Sequence, residues 1–212
     1  MKPGDIDYHC HILPNMDDGA QSQAEALEMA RIAAAAGYKT VIATPHYEVY
    51  FCENTREIIR QAVSELREAV RLAGIPLHIE MGSEIMLDPE IPKLLAQKKL
   101  MTYQDQGTHV LIELPFQSYP LWTGEVLYQI QLLGITPVLA HPERYRWLED
   151  NPTWLDSFKA KGMLLQVNVS SLKGKYGHTV QTRAERLWKE NLADIWGSDA
   201  HSAQGYKILG QG

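Results

Sequence analysis

Seven short apolar runs recur along this chain, and six of them end in a histidine, an aspartate or a glutamate. They lie at residues 7–11, 40–46, 77–84, 109–115, 136–142, 163–169 and 193–201, and only the sixth closes on amides instead, Gln166 and Asn168. Between them are stretches of helical character at 22–36, 55–73, 89–97, 124–133, 153–161 and 179–191. The longest repeats Ile59, Val63, Leu66 and Val70 at helical spacing before Gly74 stops it. Short buried strands alternating with helices call for parallel pairing and right-handed crossovers, hence an α/β fold. Polar residues at the ends of so many strands can converge only if those ends ring a common centre. This predicts a distorted, TIM-like (β/α)7 barrel in place of an open sheet, with the site at the C-terminal ends of the strands.

The opening stretch, Asp7-Tyr8-His9-Cys10-His11-Ile12-Leu13-Pro14-Asn15-Met16-Asp17-Asp18-Gly19-Ala20, gives the ring its chemistry. Side chains alternate along a strand, so His9 and His11 point to one face and can aim two imidazoles at one ion, while Cys10 turns away. The turn that follows brings carboxylates back towards the strand end, although aspartates there also serve as helix caps. The collected ring is His9, His11, Asp18, His46, Glu84, Glu113, His141, Asp199 and His201. Nine such residues exceed the needs of one ion, and imidazoles mixed with carboxylates, without thiolates, suit Mn²⁺, Fe or Zn²⁺ in a di- or trinuclear centre, with carboxylates such as Glu84 as bridges.

Four carboxylates against three divalent ions leave roughly two positive charges, the field an anionic substrate such as a phosphate needs. Hydrolysis by metal-bound hydroxide requires no protein nucleophile, and none is signalled. The sixth residue after Cys10 is Met16 and after Cys52 is Ile58, so the Cys-x5-Arg loop of thiolate phosphatases is missing, as are G-x-S-x-G and the P-loop. Arg144 follows the His141 strand end; it either takes phosphate oxygens in a bidentate fashion or pairs locally with Glu143 or Glu149. His78 and His109 open strands and fall at the far end, and His178 sits in a Gly/Lys-rich loop.

Size and composition predict one domain over 1–212, with 45% hydrophobic and 22% charged residues. A net charge of −6 and the lack of a Lys/Arg run argue against nucleic acid as the main partner. No apolar run is long enough to insert in a membrane, and the first residues carry no signal pattern, so a cytoplasmic location is expected, with both cysteines reduced.

The motifs themselves, Asp7-Tyr8-His9-Cys10-His11-Ile12-Leu13-Pro14 with Asp17-Asp18-Gly19-Ala20, Ala43-Thr44-Pro45-His46, Gly82-Ser83-Glu84, Leu111-Ile112-Glu113, Ala140-His141-Pro142-Glu143-Arg144 and Ser198-Asp199-Ala200-His201, fall in order over nearly the whole chain. Together they resemble the bacterial PHP-domain (polymerase and histidinol phosphatase) protein-tyrosine phosphatases of capsular and exopolysaccharide operons. The resemblance implies a seven-stranded PHP barrel, a trinuclear and commonly manganese-dependent site, and removal of phosphate from the tyrosine-rich tail of a bacterial tyrosine kinase. It carries over all nine ring residues as ligands, choosing Asp18 over Asp17, and Arg144 as a phosphate contact beside Asp199 and His201. A small phosphoester such as histidinol phosphate, or a metal-loaded module that binds phosphotyrosine without turnover, are the competing readings.

Two departures carry expectations of their own. Relatives usually place a second phosphate-binding arginine five residues past the final histidine, where this chain has Tyr206 with Lys207 beside it. They also continue for a further helix, whereas this sequence stops at Gly212, which predicts an apolar flank beside the last strand that a second copy of the chain would cover.

Overall fold

The computed structural model describes residues 4–148 and 153–207. Its elements run β1 (Ile6–Cys10), α1 (Gln23–Ala35), β2 (Thr40–Ala43), β3 (His46–Glu48), β4 (Cys52–Glu53), α2 (Arg56–Leu72), β5 (His78–Met81), β6 (Glu84–Met86) and α3 (Ile91–Ala96). The second half continues with β7 (His109–Glu113), α4 (Thr123–Leu132), β8 (Thr136–Ala140), α5 (Trp154–Ala160), β9 (Leu164–Asn168), α6 (Val169–Leu172), α7 (His178–Lys189), β10 (Ile195–Gly197) and α8 (Ala203–Lys207). Among the described residues no helix is long and apolar enough to cross a membrane.

The strands form a three-stranded parallel sheet, β1-β2-β5, and a seven-stranded sheet, β10-β9-β8-β7-β6-β3-β4, in which only the β3–β4 pair is antiparallel. Two expectations change here. The run at 77–84 is two strands in different sheets, and the stretch between the second apolar run and the longest helix, where the apolar pattern predicts no strand, holds β4 paired with β3 as a hairpin. The break has a local cause. Pro45 has no N–H to offer a ladder, so the second strand parts into β2 and β3, and its neighbour parts with it at Gly82. A Cβ on Gly82 would stand 3.1 Å from Ile42 Cγ2 and from Thr44 Cγ2. Pairing is carried across the break by Gly82 N–H to Ala43 O (2.8 Å) and Glu84 N–H to Pro45 O (3.1 Å).

At the other edge the first and last strands meet. His11 N–H donates to Ala200 O (3.0 Å) and Asp199 N–H to His9 O (2.8 Å). Inside, Ile42, Leu111, Val138 and Ala140 form one cluster with Ile6, Tyr8, Leu164 and Ile195, drawn from both sheets. The outer face of the small sheet is covered by α1, α2 and α8, and that of the large sheet by α3, α4, α5 and α7. In α2 the buried residues are those of the predicted stripe, Ile59, Val63, Leu66 and Val70, with Ala69.

β1 departs from simple alternation. Asp7 pairs with Val41 but Cys10 with Ala43, so β1 holds one residue more than its partner between these points. Such a bulge re-aims side chains. Tyr8 joins the inner cluster and His9, its neighbour, also faces inward, while Asp7 reaches the Tyr206 hydroxyl and Cys10 packs in the outer cluster.

Candidate metal centre

The nine ring residues come together above the inner cluster. His9 Nε2 lies 3.1 Å from His11 Nε2 and 3.0 Å from Glu84 Oε2. His46 Nδ1 approaches the same Glu84 oxygen at 3.2 Å, and His141 Nε2 meets Glu84 Oε1 at 2.9 Å and Glu113 Oε1 at 3.5 Å. Asp199 Oδ1 stands 3.6 Å from His9 Nε2 and 3.5 Å from His201 Nδ1, and Asp18 Oδ1 joins His46 (3.6 Å) to His201 (3.4 Å). Among the described residues three groups have donor atoms close enough to share an ion: His11, Asp18, His46 and His201; His9, His11 and Glu84; and His46, Glu84 and Glu113. Glu84, His11 and His46 each belong to two of them, and of the three the Glu84 carboxylate, with its two oxygens, is the one able to bridge neighbouring ions.

The donor set fits divalent cations. His11 Nδ1 sits 2.7 Å from Asp17 Oδ2 and His9 Nδ1 2.9 Å from Gln166 Oε1, acceptors that place each ring proton on Nδ1. Both Nε2 atoms then present lone pairs towards each other and towards Glu84, an arrangement that a positive charge between them resolves. Protons do this partly. Burial disfavours charge on His11, yet the Asp17 and Glu84 carboxylates raise its pKa well above the usual value. Burial works against the charged form of Glu84 too, but His9 and the bonds from His11 and His141 hold its carboxyl well below the ordinary range. Glu113 goes the other way, pushed well up by burial and by the charge of Glu84. Burial and the neighbouring His11 lower His201 to about 4.

Backbone conformation aims two members of the ring. His141 (φ 31°), the residue after β8, and Asp199 (φ 51°), two residues past β10, both adopt left-handed conformations. That costs roughly 1–3 kcal/mol for each non-glycine residue and clusters at functional sites.

The ring floors a pocket of about 610 Å³. Arg144 is on its wall and, among the described residues, does not pair with Glu143 or another nearby acid in sequence; Nη1 donates to Asp199 Oδ2 at 2.8 Å. Its guanidinium carbon sits 4.6 Å from the Phe116 ring centre and 4.4 Å from that of Tyr176. Asp199 Oδ2 also accepts from Asn168 Nδ2 (2.7 Å) and the Tyr176 hydroxyl (3.1 Å). Glu149 lies outside the described residues. His78 and His109 open β5 and β7, at the far end, as expected. His178 is the first residue of α7 and not part of a loop, since Gly177 with φ 91° forms the cap before it.

Several residues fall elsewhere than their sequence context suggests. Tyr206 is fully buried and its hydroxyl bonds to the Asp7 carboxylate, while Lys207 Nζ points to Glu28 at 4.0 Å, so neither lines the pocket. Neither Asp17 nor Asp18 caps α1; Ser22 does, its Oγ accepting from Glu25 N–H at 3.2 Å. Asp17 serves more than a turn, since it accepts from both His11 and the His46 N–H (2.9 Å). Gln166 and Asn168, the amides of the exceptional strand, support His9 and Asp199. Their i, i+2 spacing was the available signal.

Comparison with known proteins agrees with this geometry. The family model described as capsular polysaccharide synthesis, CpsB/CapC, matches residues 5–207. The tyrosine-protein phosphatase YwqE of Bacillus subtilis (strain 168) is 39% identical over 199 residues, covering 94% of this chain and 78% of that protein. The tyrosine-protein phosphatase CpsB of Streptococcus pneumoniae is 30% identical over 202 residues, covering 93% and 83%. A crystal structure reported for YwqE and CpsB, described as metal-dependent tyrosine phosphatases, superposes with a TM-score of 0.87 at 38% identity, covering 96% of this chain and 85% of that one. From the donor ring and from matches that span nearly its whole length, this chain belongs to the CpsB/CapC family of capsular polysaccharide synthesis.

Proposed function

We propose that this chain is a metal-dependent phosphatase acting on phosphotyrosine in protein, with the tail of a bacterial tyrosine kinase that controls polysaccharide synthesis as its substrate. The observation that carries this is the set of three donor groups, sharing His11, His46 and Glu84, at the floor of an open pocket with Arg144 on its wall. The naming of YwqE and CpsB as tyrosine phosphatases supports the substrate class. In this reading His9, His11, Asp18, His46, Glu84, Glu113, His141, Asp199 and His201 hold three ions. Mn²⁺ is the expected metal, and Fe or Zn²⁺ also suit the donors. The two sheets are read as one distorted seven-stranded PHP barrel in a single domain, which the hydrogen bonds between the first and last strands support. The unpaired cysteines Cys10 and Cys52 support a reducing, cytoplasmic setting. Self-association beside the last strand is supported by Trp188 and Trp196, which share an apolar pocket with Val169 and Leu172.

Bound divalent ions would acidify the attacking water and offset charge on the phosphoryl oxygens. The chain's own residues do the rest. Asp17 and Gln166 fix His11 and His9 with their Nε2 atoms facing the centre. Phe116 and Tyr176 flank the Arg144 guanidinium, which is left to receive phosphate oxygens with the donors that Asp199 does not use.

The ring fixes phosphoryl chemistry and not the group attached to it, so a small phosphoester is the competing substrate. Purified protein with Mn²⁺ is to be assayed on a tyrosine-phosphorylated peptide, a serine-phosphorylated peptide and histidinol phosphate. Turnover of the first is expected, and its loss in His11→Ala and Asp199→Ala. Turnover of histidinol phosphate alone overturns the substrate, and binding without turnover makes the chain a binding module. Elemental analysis and an anomalous-scattering map are expected to find three ions.

A further inference from the structure

One side chain at the pocket is not used by this reading: Lys175, in the glycine-bracketed turn Gly174-Lys175-Tyr176-Gly177 between α6 and α7. It is a built turn. Gly174 (φ 78°) and Gly177 (φ 91°) take left-handed conformations that favour glycine, and the N–H groups of Gly174, Lys175 and Gly177 donate to Ser171, Ser170 and Gly174 carbonyls at 3.0, 3.2 and 3.1 Å. The turn delivers two adjacent side chains to the pocket. Tyr176 supports Arg144 and Asp199, and Lys175 Nζ lies 5.0 Å from the centre of the Tyr176 ring.

Among the described residues lining the pocket, Arg144 and Lys175 are the only lysine or arginine side chains. Their situations differ. The positive charge of Arg144 is already paired with Asp199, whereas Lys175 is solvent-exposed and has no ion pair among the described residues. The rest of the lining is strongly acidic, with Asp17, Asp18, Glu48, Glu84, Glu113 and Asp199. A phosphate monoester dianion entering there gains from a cation that no resident carboxylate has neutralised. Tyr206 and Lys207, the residues at the place where the sequence led one to look for it, face away from the pocket.

We propose that Lys175 is the second cationic contact for the substrate's phosphate, reaching it from the 174–177 turn, with Tyr176 as a positioning residue that holds Arg144 and Asp199 in place. The inference rests on the phosphatase reading. As a flexible point charge, lysine attracts the dianion without imposing the planar fork that Arg144 supplies. Its contribution therefore appears in substrate capture more than in the chemical step.

The test compares wild type, Lys175→Met and Lys175→Arg, each loaded with Mn²⁺. Binding of inorganic phosphate is measured by calorimetry, and turnover of a phosphotyrosyl peptide is measured at several salt concentrations. Lys175→Met is expected to weaken phosphate binding and raise KM by about tenfold, a loss in keeping with one charge-assisted hydrogen bond. The effect on kcat is expected to be smaller, the salt dependence of kcat/KM to flatten, and Lys175→Arg to restore most of the affinity. An unchanged phosphate Kd in Lys175→Met overturns the inference whatever the turnover. Loss of peptide turnover in wild type with Lys175-dependent phosphate binding intact removes the phosphatase reading and leaves the cationic contact standing.

Discussion

Asp17 serves two structures with one carboxylate. Oδ1 accepts the Gly19 N–H at 2.9 Å and closes the turn after β1; Oδ2 accepts from His11 Nδ1 and His46 N–H. Burial opposes its ionisation, but the bond and charge of His11 bring its pKa down to about 2. Asp17→Asn keeps the shape and removes the charge that orients the His11 ring. Metal affinity is expected to fall about 10–100-fold, as for other outer-shell partners of ligating histidines. Calorimetric titration of the ion-free protein checks this, and an unaltered affinity would reduce Asp17 to a turn residue. The pair of histidines was legible at this scale because i, i+2 spacing on a strand has one geometric meaning. The choice between Asp17 and Asp18 was not, since adjacent carboxylates in one turn carry the same local signature. What separates them is the packing of that turn against His11, where a Cβ on Gly19 would lie 2.2 Å from the His11 carbonyl oxygen.

Among the elements, β1 and β10 carry the tightest constraint. Gly197 at the end of β10 lies against His9, where an added Cβ would stand 2.4 Å from His9 Cβ and 2.8 Å from Gln166 Nε2. Both neighbours are buried and fixed, so Gly197→Ala is expected to displace the His9 ring. A destabilisation of about 1–3 kcal/mol, the usual range for an overpacked site, should accompany loss of most metal binding. Gly205→Ala in α8 is the control, because its nearest contact would be an ordinary 3.6 Å from Ser202 Oγ, and urea unfolding of the two variants makes the comparison. Helices and apolar strands were readable from periodicity, as α2 illustrates. The parting of the second strand at Pro45, the matching break at Gly82 and the extra residue in β1 were not. Each depends on what a neighbouring strand does at the same height, and a single run of sequence does not contain its neighbour.

For the molecule as a whole, the acid side of its stability should depend on a carboxyl behind the ring. Glu143 is buried, with Oε1 accepting from Asn168 N–H (3.0 Å) and Ser171 Oγ (2.7 Å) and Oε2 without a partner. Burial pushes its pKa from 4.5 to about 7 against the lowering effect of those bonds. The folded protein therefore holds a proton that the unfolded chain has released between pH 4.5 and about 7, and stability falls as pH rises through that window. Glu143→Gln should flatten the slope and gain on the order of 3 kcal/mol at pH 7.5, measured by urea unfolding of the ion-free protein at several pH values. The seam between the first and last strands also sets the order in which the metal centre is assembled. Ser198 N–H donates to Asp7 Oδ1 across 191 positions of sequence, and Asp199 and His201 follow it directly. Until the last strand has docked on the first, His11, Asp18 and His46 stand without His201, the residue that completes their group. An ion held by that group would therefore act as a clasp, fastening the turn after β10 to the strand that opens the fold.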